Sequence, residues 1–274
     1  MIKQLRNIFN WIIFSNIFVA FCVLALTISS EVLLGTVNCR ISQFVFFATL
    51  FTYNFQRVVK LKQRGGQLKT DWQAKNKTST YFIMIISGII ITYHFYYFKT
   101  STQIAIIFSG ILSLLYPFGI RNIPFAKIFV IALIWTISTM LLLVLENNML
   151  ISQNLILHLS ARFLFVFAIT IPFDIRDLKF DDKKMNTIPI IFGEGKAKLI
   201  GVMALFFCEL IAIVQMLYFD MEFYNLIALI CIFFLSAILM IKSSQDKTAM
   251  YFSFWVESLS IYFYLFLILS TLLL

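Results

Sequence analysis

Asp174-Ile-Arg-Asp177-Leu-Lys-Phe-Asp181-Asp182 follows directly on an apolar run that ends in Ile171-Pro172-Phe173. Five of the chain's 13 acidic residues lie between Asp174 and Lys198: these four and Glu194. At about 100° per residue, Asp174, Asp177 and Asp181 fall at roughly 0°, −60° and −20°, on one face of a helix. Three carboxylates so close repel one another, and a divalent cation is the simplest partner that removes the repulsion. Mg²⁺ held in this way commonly also holds a phosphate or diphosphate. The same residues also suit a solvated helix end whose acids are neutralised by Arg176, Lys179, Lys183 and Lys184. Spacing alone leaves both readings open.

Outward from this stretch the chain is almost entirely apolar. It is 61% hydrophobic and 13% charged, against about 25% charge in soluble domains, and its mean hydropathy is +0.92. Nine apolar runs come near the ~20 residues that cross a ~30 Å hydrocarbon core: Ile8–Thr27, Ile41–Val58, Tyr81–Phe98, Ile104–Phe118, Phe125–Leu145, Leu155–Phe173, Leu199–Phe219, Phe223–Ile241 and Tyr251–Leu274. The pattern predicts an all-α polytopic membrane protein, nine helices in one bundle spanning residues 1–274, with a cytoplasmic polar cap. Too few residues remain between the runs for a soluble domain. Lys3 and Arg6 before the first run suit a signal peptide, but the run is long and lacks a small-x-small cleavage site, so a retained first helix is expected.

The net charge of +9 raises the question of nucleic acid, and the placement of the basic residues answers it. With the N-terminus inside, 19 of the 22 Lys and Arg residues fall on the cytoplasmic side, leaving Arg40, Lys99 and Arg162 outside. That is the positive-inside bias of an inner or plasma membrane protein, and it predicts an inner N-terminus, an outer C-terminus and no nucleic-acid partner. Cys22, Cys39, Cys208 and Cys231 show no metal or redox spacing. His94 and His158 lie far from the acids. Glu209 and Glu257 sit inside spans, where a carboxyl is either functional or protonated and bonded to a neighbouring helix.

On this topology the Asp cluster, the basic Arg57–Lys77 segment and the Leu115–Phe125 loop share the cytoplasmic side. Arg121 in that loop is a candidate anion ligand, because guanidinium grips phosphate bidentately. Asp174-Ile-Arg-Asp177-Leu-Lys-Phe-Asp181, followed by Lys184, Thr187-Ile-Pro189 and Phe192-Gly193, resembles the second Asp-rich motif of the UbiA family of membrane prenyltransferases. The Leu115–Phe125 loop, with Tyr116, Arg121 and Pro124, is similar to that family's loop between its fourth and fifth helices. The resemblance runs over nearly the whole chain.

It implies Mg²⁺ at Asp174, Asp177 and Asp181, with Asp177 and Asp181 catalytic. It also implies a polyprenyl diphosphate donor and a small lipophilic acceptor, often an aromatic ring. Metal and basic residues would stabilise the departing diphosphate, and some of the 32 Phe would shelter an allylic cation. The first family motif is degenerate here. Asn54 is present, but the acids expected four and eight residues later are Val58 and Lys62. Direct contacts from Arg57, Lys60 or Lys62 to the diphosphate would then replace a second metal, with Asn54, Tyr116, Arg121 and Lys184 as further substrate-binding residues. Three readings follow: an active prenyltransferase, an inactive relative that binds an isoprenoid or a partner protein, and a small transporter.

Overall fold

The computed structural model describes residues 11–63, 76–119, 123–179 and 186–273, and no strand occurs among them. Among the described residues nine long helices follow in order: α1 (Ile17–Leu34), α2 (Cys39–Gln63), α3 (Lys77–Tyr96), α4 (Thr100–Phe118), α5 (Ala126–Glu146), α6 (Gln153–Asp177), α7 (Ile188–Tyr218), α8 (Phe223–Lys242) and α9 (Tyr251–Thr271). All but α2 are long and apolar enough to cross a membrane. The chain is an all-helical integral membrane protein. α2 has the length, 25 residues, but carries Gln43, Asn54, Gln56, Arg57, Lys60 and Lys62, and the expected count of nine crossings includes it.

Two boundaries differ from the sequence pattern. The first apolar run ends at Thr27, yet α1 continues to Leu34 because its polar residues find partners inside the bundle. Ser29 and Ser30 hydroxyls donate to the Leu26 carbonyl, and Glu31 Oε1 accepts from Ser42 Oγ at 2.7 Å and from the Asn38 amide at 3.1 Å. Gly35, at φ 60°, then closes the helix. Its N–H donates to Val32 O and that of Thr36 to Glu31 O, a Schellman arrangement that needs the left-handed backbone glycine tolerates best. α7 begins eleven residues earlier than its apolar run, with Pro189 in its first turn and a break at Gly193, φ 80°.

α6 is the central column and packs against α5, α7 and α8, while α1 lies against α2 and α9. Phe165, Ile171, Leu205, Ile232, Phe252 and Phe263 fill the core between them. α3 leans almost wholly on α2 and turns Phe82, Ile85, Ile89 and Tyr93 outward. At Gly201 the backbone of α7 comes so close to its neighbours that an added Cβ would lie 2.5 Å from Met240 Cε and 3.1 Å from Ile171 Cδ1. Gly201→Leu should therefore overpack the α6–α7–α8 seam and lower stability by ~1–3 kcal/mol. Thermal unfolding in detergent measures this, and adding Met240→Ala should recover part of the loss. An unshifted Gly201→Leu would show the seam to be loose.

Candidate functional site

Alternating helix directions bring the starts of α1, α5 and α9 and the ends of α2, α4 and α6 to one end of the bundle. There they enclose a cavity of about 340 Å³, within the ~300–1,000 Å³ range of ligand pockets. Four cationic side chains (Arg57, Lys60, Lys127, Arg176) and three carboxyls (Asp174, Asp177, Glu257) line it. Phe18, Ile131, Trp135, Ile169 and Phe173 form its apolar part.

The centre of the charged part is Lys127, in the first turn of α5. Phe125, at φ 60°, turns the chain into that helix, and its N–H donates to Asn186 O at 3.4 Å. This bond ties the loop before α5 to the segment after α6. Lys127 is buried, and its Nζ lies 2.7 Å from Asp174 Oδ1 and 3.4 Å from Asp177 Oδ2. Asp177 Oδ1 also accepts from Arg176 Nε at 2.8 Å, and the Arg176 guanidinium lies over the Phe173 and Phe252 rings. Asp174 and Asp177 thus converge on a single cation, with Asp174 1% exposed and Asp177 21%.

Convergence of two carboxylates on one point is what a small cation needs. Mg²⁺ usually takes one or two carboxylates and completes its octahedron with water and phosphate oxygens. The pair fits that ion, provided Lys127 moves over to the phosphate. Among the described residues no three His, Cys, Asp or Glu side chains come together as a ready-made metal cage.

The remaining expected site residues are distributed unevenly. Arg57 and Tyr116 line the cavity with Asp174 and Asp177. Asn54 does not: it is fully buried in the α1–α2 contact. Its Nδ2 donates to Ser15 O and Leu50 O, and its Oδ1 accepts from Asn16 Nδ2 at 3.1 Å. Its amide therefore holds the turn before α1 against α2. Lys62 is in the last turn of α2. Asp181, Lys184 and Arg121 lie outside the described residues. α6 itself ends at Asp177, with a tightened turn from Leu178 N to Ile175 O. A shared helical face therefore holds for Asp174 and Asp177. Lys127 was legible only as a topology marker, although a lysine inside an apolar run is itself a functional signal.

A second cavity of about 320 Å³ adjoins the first and shares Thr52, Tyr53, Ser113, Ile134 and Trp135 with it. Four of the hydroxyls around it are turned back on their own helices: Thr49 donates to Val45 O, Thr92 to Gly88 O, Ser109 to Ala105 O and Ser113 to Ser109 O. Val23, Phe44, Ile91, Ile106 and Leu142 make its lining mainly apolar.

Solved structures with this arrangement of helices are UbiA homologues. One is the apo form of a homologue from Aeropyrum pernix (TM-score 0.63, 11% identity, 95% of this chain and 96% of that one). Another is a homologue from Archaeoglobus fulgidus bound to GPP and Mg²⁺ (0.61, 13%, 95% and 98%). The chain has the UbiA fold. A digeranylgeranylglyceryl phosphate synthase superposes over 98% of this chain and 100% of its own, with TM-score 0.62 and 12% identity. No protein-family model matches the sequence, and no curated protein aligns with it significantly.

Removing the central cation tests the electrostatics. Lys127→Met should destabilise the protein by ~3 kcal/mol or more, the scale for breaking a buried ion pair from one side. Asp177→Asn should cost less, because its carboxylate is partly wetted. Equal unfolding midpoints for wild type and Lys127→Met would remove Lys127 from the centre of the site.

Proposed function

We propose that this UbiA-fold protein is an intramembrane prenyltransferase, moving a polyprenyl group from a diphosphate donor to a small lipophilic acceptor. The observation that carries the proposal is a cavity with a charged mouth, Arg57, Lys60 and Lys127 beside Asp174 and Asp177, opening onto an apolar chamber within the bundle. An anionic head joined to a hydrocarbon tail is the ligand class that matches both halves.

In this reading Arg57, Lys60 and Lys127 bind the diphosphate, with Lys62 at the end of α2, Arg121 and Lys184 as further ligands and Tyr116 lining the mouth. Mg²⁺, held by Asp174, Asp177 and Asp181, would supply neutralisation of the negative charge that grows as the C–O bond breaks. Cations fixed in a dry site stabilise that charge more strongly than water does. Phe18, Trp135 and Phe173 keep water from the allylic centre and face it with aromatic rings. The basic bias supports an orientation with this mouth and the N-terminus on the cytoplasmic side of the plasma membrane and the C-terminus outside.

A non-catalytic isoprenoid binder is the second reading. It is favoured by the Lys127 ammonium lying between the carboxylates and by Val58 and Lys62 standing where the resemblance expects acids.

The discriminating experiment incubates detergent-purified protein with geranyl diphosphate, with and without Mg²⁺, and follows both donor binding and diphosphate release. Mg²⁺-dependent release, abolished by Asp177→Asn and by Asp181→Asn in a protein that still folds, is the expected outcome. Binding without release in the presence of candidate acceptors would select the second reading, and no binding would end both. For orientation, a reporter active only in the cytoplasm and fused after Leu274 should stay silent. A bright signal would mean an even number of crossings.

A further inference from the structure

Arg162 lies twelve residues before Asp174 on α6, about 18 Å along the helix axis, and plays no part in the site above. It is 3% exposed. Its Nη2 donates to Ser29 Oγ at 3.0 Å and Ser30 Oγ at 2.9 Å, and both hydroxyls in turn donate to Leu26 O. The Phe263 ring centre is 4.7 Å from its guanidinium carbon. α1, α6 and α9 therefore meet at this one side chain. Nε and Nη1 have no hydrogen-bond partner, and among the described residues no carboxylate pairs with the guanidinium. Beside it is a void of about 20 Å³, bounded by His158, Arg162, Cys208, Gln215 and Phe263 among others.

Arginine stays protonated in proteins, so the bundle encloses a full positive charge with three N–H groups unbonded. Neutral contacts cover part of the cost through the ring face and two hydroxyls. A buried charge without a counter-charge remains expensive in a low dielectric. The void exceeds the ~10–15 Å³ that one water needs, but it is far too small for a phosphate or a carboxylate ligand. Water would satisfy the N–H groups and leave the charge. A monatomic anion satisfies both.

We infer that the Nε–Nη1 edge of Arg162 binds a single halide ion, chloride under ordinary salt, which acts as a buried counter-ion joining α1, α6 and α9. The test compares thermal unfolding of the full chain in sodium chloride and sodium gluconate at matched ionic strength, since gluconate cannot enter the void. Wild type should show a saturable rise in Tm of roughly 2–5 °C with chloride, as a ligand specific to the folded state produces. Arg162→Met, which fills the space without charge, should show none. Where Arg162→Met does not fold, wild-type crystals grown in bromide should give an anomalous peak at the Nε–Nη1 edge. Identical chloride and gluconate curves for wild type, a chloride response retained in Arg162→Met, or bromide crystals without that peak would each overturn the inference. None of these readouts depends on prenyl transfer.

Discussion

In a hydrocarbon surround, a polar group without a partner has no water to fall back on, and this constraint organises the bundle. Thr and Ser hydroxyls along α1, α4, α5 and α6 donate to carbonyls three or four residues earlier on their own helices. Glu31 is held by Ser42 and a loop amide. Asn54 joins two helices through its amide. Each is a local solution, and together they let the spans carry polar groups without water.

At the cavity end of the bundle the electrostatic arrangement is a balance of opposites. The α6 carboxylates need cations, and the structure supplies them from a different helix, α5, and from their own neighbour Arg176. Arg57 and Lys60 of α2 line the same cavity. Such side chains are suited to hold an anion directly, whereas carboxylates would hold it through an added metal.

Much of the fold was legible because hydrophobic spans and basic asymmetry are local properties of sequence. Asp174 and Asp177 were readable as a pair from their spacing of three. What escaped was tertiary. Ser29, Ser30 and Glu31 look like the end of a span until Arg162, Asn38 and Ser42 are seen to satisfy them. Asn54 matches a motif position, yet its hydrogen bonds go to Ser15, Leu50 and Asn16. Lys127 gave no spacing signal at all, since its partners are about fifty residues away and meet it only when α5 and α6 pack.

α3 stands apart from this interlocked core. Only 17% of its apolar window is buried in protein, and its outward Phe, Ile and Tyr side chains face acyl chains. Lipid therefore does for α3 what neighbouring helices do for α6. A helix held so lightly by protein has room to accommodate a mismatch with bilayer thickness by tilting. Gly88 of α3, together with Ile91 and Thr92, also walls the apolar chamber. A change in the tilt of α3 would therefore move one wall of that chamber.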